Sequence, residues 1–211
     1  MILRHSIIKY MTIFIASFAS AACSTGTGTE NDLPANSLAA RESYARDLAV
    51  EVDNDTFVAT ADIPPSGESS YSGSILMYDA PKTGLLYGRS RINVKFSSDM
   101  VTGSFNDFVY AENISDDSLT LPTVSGSLTL ANGTIDRTAS SQDAQLVGDL
   151  SGTLTPSSEM FNIPAGTKID VASDFKGGLK EDSMVGFTSG TMLPSSGTSV
   201  DVAGVIIAVE D

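Results

Sequence analysis

Few residues in this chain could do chemistry. The only histidine is His5, the only cysteine is Cys23, and there is no tryptophan. After His5 the chain cannot assemble a Ser-His-Asp or Cys-His triad, and histidine ligation of zinc, copper or haem goes with it. Hydrolysis by paired carboxylates is the route that survives. Acidic pairs are plentiful, at Asp116-Asp117 and Glu181-Asp182 for example. Both pairs are adjacent in sequence and sit beside turns, which suits a solvated turn better than a catalytic dyad. Asp53-Asn54-Asp55 invites comparison with a calcium loop, but no glycine holds the turn position and no glutamate closes the loop. It reads as a turn. The inward-spaced glycines described below are not part of a strand-glycine-helix unit, so they make no phosphate loop. No catalytic residue, cofactor site or metal site is assigned, and the expectation is a protein that is not an enzyme.

Cys23 is the one reactive side chain with a readable context. Arg4 and Lys9 give a positive start, Tyr10 to Ala22 form a largely apolar run of 13 residues, and Ser20-Ala21-Ala22 lead directly to Cys23. That is the layout of a secretory signal over residues 1–22. A transmembrane span needs about 20 apolar residues, and Lys9 interrupts any extension upstream. A sole cysteine cannot make an intramolecular disulfide and so asks for another explanation. Ala21, Ala22 and Cys23 resemble a bacterial lipobox, with Ser20 standing where that motif prefers Leu, Val or Ile. The resemblance implies that Cys23 is lipidated and becomes the first mature residue. Ser24 after it implies sorting to the outer membrane or cell surface. The alternative is ordinary signal cleavage, which would leave a free thiol near the new terminus of a periplasmic protein.

Residues 1–22 hold two of the 12 basic residues and none of the 26 acidic ones, so the chain from Cys23 onward carries a net charge of −16. Nucleic-acid binding draws on a positive footprint, which this chain lacks. Direct adhesion to anionic headgroups is disfavoured too, leaving a lipid at Cys23 as the only expected membrane contact. An acidic excess of this size suits solubility, and it attracts a basic partner or cations.

From Ser24 to Asp32 the chain is polar and glycine-bearing, with nothing to bury, and reads as a flexible tether. Ser37 to Ala49 has roughly helical spacing at Leu38, Ala39, Tyr44, Ala45 and Leu48, with Asn36 or Ser37 as cap. Phe57 to Ala61 suits a short strand before Pro64-Pro65-Ser66-Gly67 breaks the chain. Residues 23–66 are therefore expected to be a lipid-anchored tether with a short helix and strand, and residues 67–211 one domain.

In that domain apolar and polar residues alternate with the period of a half-buried strand. Tyr71-Ser72-Gly73-Ser74-Ile75, Ile92-Asn93-Val94-Lys95-Phe96 and Leu146 to Leu154 are the clearest runs. The spacing predicts eight strands, at 69–79, 85–96, 100–110, 123–130, 145–155, 174–180, 185–193 and 200–209. Turn chemistry at Pro81-Lys82-Thr83-Gly84, Ser97-Ser98-Asp99 and Asn132-Gly133 supports the joins. Glycine repeatedly replaces an apolar residue on the inward face, as in Val124-x-Gly126-x-Leu128, Leu150-x-Gly152-x-Leu154 and Val202-x-Gly204-x-Ile206. Glycine normally weakens a strand, so several on one face suggest tight bending in a small closed barrel rather than a sandwich. The fold expected is all-β: one antiparallel eight-stranded β-barrel preceded by a signal peptide and flexible tether. Leu128, Leu150, Leu154, Ile92, Val94 and Phe96 are expected inside it.

Several of these patterns are shared with a known family. Gly67-x-x-x-Tyr71-Ser72-Gly73, the strand from Gly88 to Phe96 and Val101-Thr102-Gly103-Ser104 resemble the barrel domain of transferrin-binding protein B. So does the ending, where Gly186-Phe187 and Gly190-Thr191-Met192 precede Val202-Ala203-Gly204-Val205. Met192, Leu193 and Pro194 replace the aromatic-aromatic-glycine part of that family's ending. The resemblance implies an eight-stranded barrel displayed on a lipidated tether. It does not carry transferrin binding, which in the family needs a two-lobed protein and loop surfaces that have no residue-by-residue match here.

The expected function is a non-enzymatic outer-membrane or surface lipoprotein whose barrel binds a partner protein or ligand through its end loops or outer wall. Asp107 to Leu121 and Pro156 to Thr167 are the longest loops, and Tyr110, Met160 and Phe161 are apolar residues there that could either contact a partner or simply pack. The alternative is a lipocalin-like carrier holding a small apolar ligand inside the barrel, and a carboxylate-based hydrolase is the remote one. Residues do not single out the partner.

Overall fold

The computed structural model describes residues 38–79, 84–112, 121–195 and 197–211. The expected signal, Cys23 and the expected polar tether lie outside the described residues. One helix, α1 (Leu38–Asn54), is followed by a 3₁₀ turn at Thr60–Asp62 and then by eight strands. These are β1 (Glu68–Asp79), β2 (Leu85–Lys95), β3 (Met100–Ala111), β4 (Thr123–Ile135), β5 (Leu146–Pro156), β6 (Ile169–Leu179), β7 (Ser183–Pro194) and β8 (Val200–Glu210). Each strand pairs antiparallel with its neighbour in sequence, and β8 returns to pair with β1 through Tyr71↔Glu210 to Asp79↔Val202. The result is a closed up-and-down barrel with no free sheet edge, which removes the template for edge-to-edge aggregation.

Alternation fixes which side chains point inward. Ile92, Val94, Phe96, Leu128, Leu150 and Leu154 are all buried in one core cluster, as the period-2 pattern predicts. Phe105, Phe108 and Phe175 are fully buried with them. A barrel of eight strands is just wide enough to be filled by side chains, and rings of this size need gaps in the opposite wall. Glycine supplies two of them. A Cβ on Gly88 would lie 2.3 Å from Cε1 of Phe108, and one on Gly186 would lie 2.4 Å from Cε2 of Phe175. The inward glycines thus seat aromatic rings, while others let strands approach. A Cβ on Gly152, for instance, would be 2.2 Å from the Ser127 carbonyl oxygen.

The outer wall has two characters. Where α1 crosses it, the outward positions are apolar. Leu38 packs with Leu85, Tyr87, Val109 and Ala111 of β2 and β3, and Leu48 and Val52 pack with Val185 of β7 and Ile207 of β8. Arg41 and Glu42 of α1 are buried here as well, with Arg41 ion-paired to Asp107 at 3.7 Å. Elsewhere the wall is bare and rich in hydroxyls. Ser104, Thr129 and Ser151 pair in one cross-strand row, and Ser127 and Thr153 in the next. All five are exposed.

Strand ends differ from expectation in four places. The helix continues past Ala49 to Asn54, so Asp53 and Asn54 form its last turn and only Asp55 bends away. Phe57 to Ala61 is not a strand: Phe57 makes an isolated bridge to Lys180, and the chain then enters the 3₁₀ turn. Asn132-Gly133 is not the β4–β5 turn. It is a bulge inside β4, where Asn132 takes φ 51° and pairing slips between Ala131 and Thr134. An Asn-Gly pair tolerates positive φ equally in a turn or a bulge. Finally β6 begins at Ile169 rather than Asp174, because Ile169, Val171 and Ser173 extend backwards the inward row of Phe175, Gly177 and Leu179. The Ser97-Ser98-Asp99 turn is present, with Asp99 left-handed at φ 51°.

Candidate functional site

A barrel offers two ends and a wall as places for recognition. The lower end, where β1 begins and β8 finishes, is crossed by the segment from Asp55 to Gly67. Three side chains tie that segment down. Arg137 donates from Nη1 to the Ile63 carbonyl at 3.0 Å and from Nη2 to the carbonyls of Pro64 at 2.8 Å and Phe96 at 3.0 Å. Its Nε donates to Oδ1 of Asp99 at 2.7 Å. A planar guanidinium is the only side chain with enough donors in a fixed fork to serve four acceptors at once. Gln145, fully buried, donates from Nε2 to the Val58 carbonyl at 2.7 Å and accepts the Leu179 N–H at 3.0 Å. Lys180 donates from Nζ to the carbonyls of Val52 and Asp55, with its ammonium 4.9 Å from the centre of the Phe57 ring. In doing so it places a cation at the C-terminal end of α1, where positive charge is favoured.

Asp55 completes this end. Its Oδ2 accepts the Ser183 hydroxyl at 2.6 Å and the Asp182 N–H at 2.9 Å, and its Oδ1 accepts the Thr56 N–H at 3.0 Å. Partial burial raises the carboxyl pKa, but these hydrogen bonds, from Ser183 first, and the nearby Lys180 charge outweigh it, and the net shift is downward. Glu181 and Asp182, one of the two acidic pairs, lie exposed in the β6–β7 turn, with the Asp182 N–H bound to Asp55. Asp116-Asp117 lies outside the described residues.

The upper end is closed differently. Between β5 and β6 the chain turns into the barrel mouth and out again. Met160 and Ile163 are joined by two backbone hydrogen bonds, of 3.0 and 2.8 Å, around Phe161 and Asn162. Both central residues are left-handed, at φ 51° and φ 62°. Asn tolerates that region, whereas a bulky aromatic there is an outlier that costs of order 1–3 kcal/mol. Phe161 is only 3% exposed and Met160 0%, and both belong to the barrel's main core cluster. The Phe161 N–H donates to the Tyr110 hydroxyl at 3.2 Å, and the two rings meet edge to face with centroids 5.0 Å apart.

Tyr110, Met160 and Phe161 are therefore packed inward and are not presented to a partner. Their loop is long enough to fold back, and its apolar residues gain more from the mouth than from water. Burial pushes the Tyr110 hydroxyl pKa up. The Phe161 hydrogen bond opposes the shift, and the carboxylates of Glu112, Asp79 and Glu159 add to it. Asp79 is itself buried at the end of β1, and the Gly84 N–H donates to its Oδ1 at 3.4 Å. The Asp107 to Leu121 connection is described only in part: Asp107 lies in a β3 bulge at φ 54°, and Leu121 packs with the β2–β3 outer wall.

Sequence reasoning missed Arg137, Gln145 and Lys180. A signal existed for one of them: Arg137 is the only basic residue between Lys95 and Lys168. An isolated cation in an acidic stretch is a candidate for a fixed structural role. Cys23, the expected lipid attachment site, lies outside the described residues. Among the described residues no helix is long and apolar enough to cross a membrane, and no group of three or more His, Cys, Asp or Glu side chains is placed to hold a metal ion.

Compared with protein-family models, curated proteins and solved structures, the chain matches none. Of the features implied by the resemblance to the transferrin-binding protein B barrel, the closed eight-stranded antiparallel barrel is present.

Proposed function

We propose that this chain is a non-enzymatic exported lipoprotein, anchored through Cys23 at the outer membrane or cell surface, whose barrel binds a partner protein from its outer surface. The observation that carries this reading is the filled interior. Inward side chains from every strand, among them Phe105, Leu128, Leu150 and Phe175, are at or below 1% exposure. Side chains packed in this way fill the middle of the barrel, which favours recognition outside it over a ligand held at its centre. Recognition then belongs to the outside of the barrel, where the uncovered hydroxyl-rich wall of β3, β4 and β5 is available.

The charge balance supports a partner of opposite sign. A net −16 after residue 22 favours a basic protein, and long-range attraction of that kind speeds encounter at low ionic strength. The lone histidine ahead of Cys23 and the absence of a second cysteine support a non-catalytic role.

The test is to capture partners with the full chain, then measure association rates for what is recovered across a salt series. A basic partner should associate progressively more slowly as salt rises. Hydrolase turnover that disappears on replacing one carboxylate would overturn the reading, as would a partner whose association ignores salt.

A further inference from the structure

The turn at the upper end joins three features that a purely structural closure does not require. A phenylalanine occupies a left-handed position that glycine or asparagine would adopt with less strain. Its ring fills the mouth, although it comes from a loop and not from a barrel strand. Its N–H is tied to the barrel wall by the Tyr110 hydroxyl. Ser157 is tied to the wall, its N–H donating to the Thr123 carbonyl of β4 at 3.0 Å, but beyond it the loop's other backbone bonds, Met160 with Ile163, Thr167 N–H to the Pro164 carbonyl and Gly166 N–H to the Pro156 carbonyl, are internal to it or to the end of β5. The turn can thus swing out without breaking any strand pairing, taking the Phe161 ring with it.

We propose that residues 158–167 form a displaceable plug, and that the mouth it vacates binds a flat apolar molecule of about the size of an aromatic ring system. Tyr110 would remain to stack against the ligand in place of Phe161. Strain at Phe161 is released when the plug leaves, so it lowers the cost of opening. Asp79, buried at the end of β1, and Glu112 after β3 stay behind when the plug leaves, and both bear on the Tyr110 hydroxyl, so a neutral or cationic ligand fits this mouth and an anionic one does not. This site is separate from the outer-surface recognition proposed above, and its failure leaves that proposal standing.

The test uses the full chain and the neutral probe N-phenyl-1-naphthylamine, with 8-anilinonaphthalene-1-sulfonate as its anionic counterpart. Tyr110→Phe removes the hydroxyl that holds the plug but keeps the ring, and should tighten neutral-probe binding about threefold or more. Phe161→Ala empties the mouth and should tighten it about tenfold or more. Saturating probe should speed amide exchange within 158–167 in the unmodified chain and leave the strands unchanged, a readout that probe adsorbed elsewhere does not give. The anionic probe should bind this site less well than the neutral one. If Phe161→Ala fails to fold, Tyr110→Phe and the exchange measurement decide. Unchanged probe affinity in a folded Tyr110→Phe variant, or exchange in 158–167 that ignores saturating probe, overturns the proposal.

Discussion

At its lower end the barrel is closed by polar side chains reaching between separate elements, whereas at its upper end it is closed by a loop that turns into the mouth. Arg137, Gln145, Lys180 and Asp55 make directional bonds to the β2–β3 turn, β6, β7, α1 and the segment that follows α1. The upper closure rests on buried apolar area and on the Tyr110–Phe161 contact. The two are not equivalent physically. Directional bonds to half-buried carbonyls leave unsatisfied groups when broken, and that penalty makes opening costly. Apolar contact has no such geometric requirement, so a loop held mainly by it can leave and be replaced by another apolar surface. The lower end therefore behaves as part of the frame, and the upper end as the part free to change.

The barrel wall sets the scale against which both ends are measured. Leu150→Ala should cost about 2–5 kcal/mol in chemical unfolding, because Leu150 is fully buried among strand side chains. Thr153, exposed on the other face of β5, should tolerate alanine with almost no cost. Equal losses at the two positions would show that the inward register is wrong.

Breaking the lower end should cost slightly less. Arg137→Ala removes four hydrogen bonds and leaves the carbonyls of Ile63, Pro64 and Phe96 without that donor, an expected loss of about 2–3 kcal/mol. Arg137→Lys should recover little of it, since an ammonium cannot reproduce the guanidinium fork. Full recovery by lysine would mean that charge, not geometry, holds this end.

At the upper end Tyr110→Phe deletes one hydrogen bond and keeps the ring contact, so a loss of about 1 kcal/mol or less is expected. A loss as large as that of Arg137→Ala would erase the difference between the two ends.

The smallest effect concerns acid. The Asp55 carboxyl has a pKa below its ordinary value of 3.8 when folded, so it stabilises the fold above that value and ceases to do so as pH falls through the lower, folded pKa. Asp55→Asn should make the chain less stable near neutral pH, with the deficit shrinking in strong acid. Acid titration of both chains by circular dichroism checks this. A deficit that stays constant down to the lowest pH would remove the carboxylate's charge from the explanation.

The wall was far more legible in the sequence than either end. Alternation names inward residues directly, because a one-residue slip would turn every side chain to the wrong face. The glycine rows were recognised as features of a tight barrel. Their partners, Phe108 for Gly88 and Phe175 for Gly186, belong to other strands and have no fixed spacing from them. The outer apolar rows of β7 and β8 were a further clue, since Val185, Phe187, Val205, Ile207 and Val209 make both faces of those strands apolar. An outer cover was needed there, and α1 provides it. The ends were hard to read for a different reason. Gln145 joins Val58 to Leu179, and Arg137 joins Ile63 to Phe96, across separations that carry no periodic signal. In the upper loop Phe161 and Asn162 look like a surface turn, and only the closed barrel shows that there is a mouth to fill.

The difference between the ends is tested most directly by native-state hydrogen exchange on the full chain without any added ligand. The amides of Phe161 and Ile163 should exchange through local opening, at least about tenfold faster than those of Val58, Leu179 and Ile135, which should exchange only with global unfolding. Exchange of both sets at one common rate would contradict the claim that the upper end opens while the lower end stays locked.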